Sequence, residues 1–143
     1  MTAVMMALHQ ILPGEPPVPL PPRTIVENVA DAAGAEHVMD DMSESQKKGA
    51  TMAAHFGYGA AAGAAYIPFA GKTSLPPAAE GALFGLAVWG GSYLGLMPAT
   101  GLYKSATDDA PARNTLMIAA HLVWGASMGM LYHALRKRTV EGF

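Results

Sequence analysis

Residues 54–66 read AHFGYGAAAGAAY, and residues 120–132 read AHLVWGASMGMLY. Aligned without a gap, the stretches share Ala, His, Gly, Ala, Gly and Tyr, and an aromatic (Tyr58 or Trp124) fills the same slot in both. On a helix, His55, Gly59, Gly63 and Tyr66 fall at i, i+4, i+8 and i+11, which is one narrow face. His121, Gly125, Gly129 and Tyr132 repeat that face. The pattern predicts two helices that carry the same stripe of small residues, bordered by an imidazole and an aromatic ring. In lipid, such stripes let helices approach closely.

The charges fall outside these stretches. Hydrophobic residues make up 51% of the 143-residue chain and charged residues 14%, against about 25% charged in an average soluble domain. No Asp, Glu, Lys or Arg occurs in 49–71, 81–103 or 114–135. Each gap is close to the roughly 20 residues that a helix needs to cross a bilayer core. None of the three carries the polar face of a soluble surface helix. The expected fold is therefore an all-α membrane protein with three complete transmembrane helices, at 51–70, 81–103 and 114–135, in a single domain.

The N-terminal part reads differently. Residues 2–12 (TAVMMALHQIL) are apolar, but as a helix they reach only about 16 Å, so a short apolar helix is expected there. Six prolines follow in positions 13–22, which dictates an extended strap. Residues 13–50 are Pro-rich and acidic, and are expected outside the hydrocarbon. Within them, Thr24 as N-cap with Glu27 three residues on predicts a short helix over 24–35. The loops 71–79 and 104–113 are short, so consecutive spans are antiparallel neighbours. Asp108 and Asp109 are expected to be solvated in the second loop.

The 66-residue offset of the repeat also maps Lys47 onto Arg113 and Lys72 onto Arg138. It suggests a duplicated helical hairpin of the parallel-repeat class, with the first and third spans parallel. The RKR at 136–138 favours a cytoplasmic C-terminus.

G-x-x-x-G pairs occur in every span: Gly59 with Gly63, Gly81 with Gly85, Gly91 with Gly95, and Gly125 with Gly129. These eight glycines are the expected helix-packing residues, within the chain, against a second copy, or against another protein. His55 and His121 are the ionisable groups well inside the spans, and such groups are functional candidates. Three roles compete: a structural hydrogen bond, a proton-responsive pair, or a bis-His site for haem b. Two histidines without a carboxylate or Cys are too few for a closed metal site, and the chain has no cysteine. With a net charge of −2, nucleic acid is not an expected partner. The chain contains no nucleophile elbow, no phosphate loop and no carboxylate pair within a span, so a non-enzymatic role is expected.

The strings HFGYGAAAGAAY, GALFGLAVWGGSYLGLMPATGL and NTLMIAAHLVWGASMGMLY, with the short Asp/Pro/Arg loop between the last two, resemble the YagU-type bacterial inner-membrane family, which is built on a domain of unknown function. The resemblance covers roughly residues 51–135, and AVWxxSYxGLxPATGL is its most specific part. It implies a four-helix inner-membrane protein whose first helix runs into an LPP segment, matched here by Leu20, Pro21 and Pro22. This chain departs from that pattern by lacking most of the first helix. The resemblance implies a loose link to acid tolerance and supplies no catalytic residues. The leading expectation is an accessory subunit of a larger membrane complex or a small homo-oligomer. A proton-responsive transport or acid-stress protein and a haem-binding electron carrier are the alternatives.

Overall fold

In the computed structural model, residues 21–141 are described. The short apolar helix expected at 2–12 and residues 13–20 of the expected strap lie outside the described residues; its last two prolines, Pro21 and Pro22, are not extended but open the first helix. Among those described, every regular element is helical. In chain order they are α1 (Pro21–Ala32), α2 (Glu36–Asp40), α3 (Glu44–Tyr66), α4 (Pro77–Gly90), a π-helical segment (Gly91–Leu96), α5 (Met97–Thr100), a 3-10 turn (Ala106–Asp108) and α6 (Pro111–Glu141).

The starts and stops follow local chemistry. Thr24 is not an N-cap, because α1 already begins at Pro21; proline tolerates the first helical turn, where its missing N–H has no partner to lose. Ser43 opens α3 with a capping box: its side chain accepts from the Gln46 N–H, and the Gln46 side chain accepts from the Ser43 N–H. Pro77 starts α4 in the first helical position. Gly101 ends α5 with φ 71°, a left-handed turn that a β-carbon resists.

α4, the π segment and α5 form one rod from Pro77 to Thr100. It packs antiparallel to α6. The contact is main chain on main chain. A Cβ on Gly81 would overlap the Gly125 carbonyl oxygen and lie 3.0 Å from Gly129 Cα. A Cβ on Gly85 would overlap the His121 carbonyl oxygen and lie 3.2 Å from Gly125 Cα. Gly125 and Gly129 face the carbonyls of Gly81 and Pro77 in the same way.

α3 lies against this hairpin, parallel to α6 and level with it. Tyr66 and Tyr132, equivalent in the repeat, meet edge to face with ring centroids 5.8 Å apart. Gly63 faces the Met128 sulfur. α1 closes one end of the assembly. Asn28 donates to the Leu102 carbonyl at 2.8 Å, and Ile25 packs against the cluster of Tyr93, Ala106 and Met117. The Arg23 guanidinium joins α1 to α3 through two hydrogen bonds to Glu44, and these hold the Glu44 carboxyl below its ordinary range.

Two helices among the described residues, Pro77–Thr100 and Pro111–Thr139, are long and apolar enough to cross a membrane. The third expected span is corrected. Residues 51–66 of that segment belong to α3, which ends at Tyr66, and residues 67–71 form a turn. α3 does not reach the apolarity of a spanning helix, because its many Ala and Gly residues contribute little apolar area. Only 22% and 33% of the most apolar windows of the two long helices are buried inside the protein, so most of their apolar surface faces outward.

Candidate functional site

α1, α3, the π segment and α6 line a cavity of about 680 Å³ that is open on one side, where Phe56, Val29 and Leu96 are exposed. A π turn accommodates an extra residue in a helix and recurs at functional sites. Here it presents Ser92 and Tyr93, both buried, to the cavity. Tyr58, on α3, reaches across to Ser92 with an O···O distance of 2.6 Å. One of these hydroxyls donates to the other, which leaves the pair with one further O–H to give.

His55 and His121 both line the cavity. His121 is 7% exposed, and its Nδ1 lies 2.7 Å from the Met117 carbonyl oxygen. A carbonyl only accepts, so Nδ1 carries the proton and Nε2 is left as an acceptor. The His121 ring meets the Tyr93 ring edge to face at 6.3 Å. Tyr93 is 8% exposed. Its hydroxyl and the His121 Nε2 have no hydrogen-bond partner among the described residues. His55 is half-buried and touches the Phe56 ring.

The lining residues include no Lys, Arg, Asp or Glu. That composition suits haem b poorly, because the described lining offers its propionates no cation. Nor does any group of three or more His, Asp or Glu lie close enough to hold a metal ion among the described residues.

The eight glycines divide. Gly81, Gly85, Gly125 and Gly129 make the contact between the long helices. Gly63 meets only the Met128 side chain, and Gly59, Gly91 and Gly95 have open space where a Cβ would sit. Of these, Gly59 lines the cavity.

Two carboxylates gather partners at opposite ends of the hairpin. Glu80, 6% exposed, accepts from the Tyr66 hydroxyl at 3.0 Å and from the Gly71 N–H at 3.0 and 3.1 Å. It also accepts from the Thr73 N–H and hydroxyl, and His133 Nε2 lies 3.4 Å away. His133 is thus a partner of Glu80. At the other end, the expectation that Asp109 is solvated is overturned; only Asp108 of that pair is exposed. The Asp109 side chain is 1% exposed and faces Lys104 at 3.1 Å and Arg113 at 3.4 Å. It also accepts from the Tyr103 hydroxyl and the Ala110 N–H. Burial pushes this carboxyl up, but Lys104, the Ala110 N–H, Arg113 and Tyr103 outweigh it and hold it below its ordinary range.

The sequence marks neither Glu80 nor Tyr93, and marks Asp109 only as a loop residue expected in solvent. The nearest signal is position: Glu80 borders a charge-free span, and Asp109 lies in the short loop between two of them.

The chain belongs to the family described as a protein of unknown function, DUF1440. The family model matches residues 1–130. The DUF1440 match therefore contains the whole described cavity lining, Glu80 and Asp109, and stops short of His133. No curated protein and no solved structure matches the chain.

Proposed function

We propose that this protein is a small polytopic protein of the bacterial inner membrane, with a cytoplasmic C-terminus, that works without catalysis as an accessory subunit or a small homo-oligomer. The observation that carries this reading is the outward apolar surface of the hairpin. Leu83, Leu94 and Leu131 are each more than half exposed on helices long enough to span. Apolar surface of this extent is covered by lipid or by a partner. Gly91 and Gly95 keep open space beside them, which suits close approach by another helix.

The test has two parts. Membranes washed with alkaline carbonate should retain the full chain. Native mass spectrometry after gentle detergent extraction should show the chain with a partner or a second copy. Release by carbonate would refute the membrane reading, and a purely monomeric population would refute the packing role.

A second reading is favoured by one observation: His55 and His121 line the same cavity. In this reading the pair responds to protons in a transport or acid-stress protein. Survival at low pH that is unchanged in the His55→Gln, His121→Gln double variant would remove it.

A further inference from the structure

We infer that the cavity is a binding site for a neutral, apolar molecule that carries a hydroxyl on an aromatic ring, the chemical class of phenols and hydroquinones. The volume of about 680 Å³ falls within the roughly 300–1,000 Å³ of small-molecule sites. The wall is apolar, and the charge-free lining selects for a neutral occupant, because an ion would be desolvated there without a counter-charge.

Two polar groups specify the head of the molecule. The Tyr93 hydroxyl is a donor and His121 Nε2 is an acceptor, each on a side chain more than nine-tenths buried and each without a partner among the described residues. Neither atom is sealed off from the cleft, so each is free to pair with a group that enters it. A hydroxyl that enters the cleft can accept from Tyr93 or donate to His121. The spare O–H of the Tyr58–Ser92 pair can serve a second oxygen on the same ring, which is the pattern of a hydroquinone. The Trp124 ring, also in the lining, offers a flat apolar surface to the ring of the occupant. Delivery from the bilayer rests on the membrane reading above; the chemistry of the site does not.

The test uses the purified full chain in detergent, or in buffer if carbonate releases it, so that failure of the membrane reading is read separately. Three probes of one shape are compared by calorimetric titration: 1-naphthol, 1-methylnaphthalene and 1-naphthoate. One saturable site for 1-naphthol is expected, with affinity at least tenfold above that of the other two. Tyr93→Phe and His121→Leu should each weaken 1-naphthol about fivefold or more, one hydrogen bond's share, and leave 1-methylnaphthalene unchanged. Equal binding of 1-naphthol and 1-methylnaphthalene, preference for the anion, or no saturable site would overturn the inference. The probe comparison on the unsubstituted chain decides the question even if a variant does not fold.

Discussion

Gly85 packs against His121 so closely that no β-carbon fits between them: a methyl group at Gly85 would overlap the His121 carbonyl oxygen. The atom in the way is backbone, which cannot swing aside like a side-chain tip. Gly85→Ala is therefore expected to push the helices apart and cost about 3 kcal/mol, the upper range of overpacking. Gly59→Ala is the control. It meets open space and should be neutral or stabilise α3 by up to about 1 kcal/mol. Thermal unfolding of the two variants side by side reads the difference.

Glu80 links the turn after α3 to both long helices. Removing its side chain in Glu80→Ala leaves the Tyr66 hydroxyl and the Gly71 and Thr73 N–H groups without their acceptor. A loss of about 3 kcal/mol is expected. Tyr66→Phe removes one bond of the set and should cost about 1–2 kcal/mol. Amide hydrogen exchange at Gly71 and Thr73 should accelerate in Glu80→Ala and stay slow in Tyr66→Phe.

The Asp109 cluster gives a pH dependence with a defined sign. The folded-state carboxyl titrates below its ordinary value, so the unfolded chain takes up the proton first as acid is added. Its contribution to stability is complete at neutral pH and is lost as pH falls below about 4, through the folded-state value. Asp109→Asn should lower the melting temperature at pH 7. It should also flatten the part of the stability curve between about pH 5 and pH 2 that belongs to this group. An unchanged acid limb would show that the Lys104 and Arg113 contacts do not hold Asp109 in solution.

The Tyr58–Ser92 bond is the polar link between α3 and the π segment. In a double-mutant cycle of Tyr58→Phe and Ser92→Ala, a coupling of about 1 kcal/mol is expected. A coupling near zero would mean that α3 does not rest on the hairpin at this height.

The two long helices follow from the sequence because their signal is local: an uninterrupted apolar run bounded by charge and proline. α3 is also visible there as a helix, but its Ala and Gly content satisfies the charge-free criterion without supplying apolar area. The repeat shows why motif identity does not transfer surroundings. Gly59 and Gly125 occupy the same slot, yet Gly125 abuts Gly81 and Gly59 faces open space. The difference is made by α4, which lies against one copy of the motif. The polar clusters were hidden for a related reason. Glu80 draws on a turn nine residues back and on His133, 53 residues ahead, and no local spacing announces such a meeting. The π segment presents Ser92 and Tyr93 to the cavity through a change of helical phase that apolar periodicity does not record. His55 and His121 were visible as matched positions, but the tautomer that leaves Nε2 of His121 as an acceptor depends on the Met117 carbonyl.

The two buried carboxylates also set a length. Glu80 and the end of α5 at Thr100, just before the Asp109 cluster, are 20 residues apart, or about 30 Å along a helix. Each end is knotted to loops by hydrogen bonds, so the apolar stretch between them cannot grow or shrink by sliding a residue in or out. If the hairpin spans a bilayer, as proposed above, one thinner than that stretch must be met by tilting the whole hairpin, and a thicker one by drawing the lipid inward around it. On the proposed membrane reading, the pair would gauge hydrocarbon thickness, and membranes of different lipid chain length should impose different tilt on an unchanged helix pair.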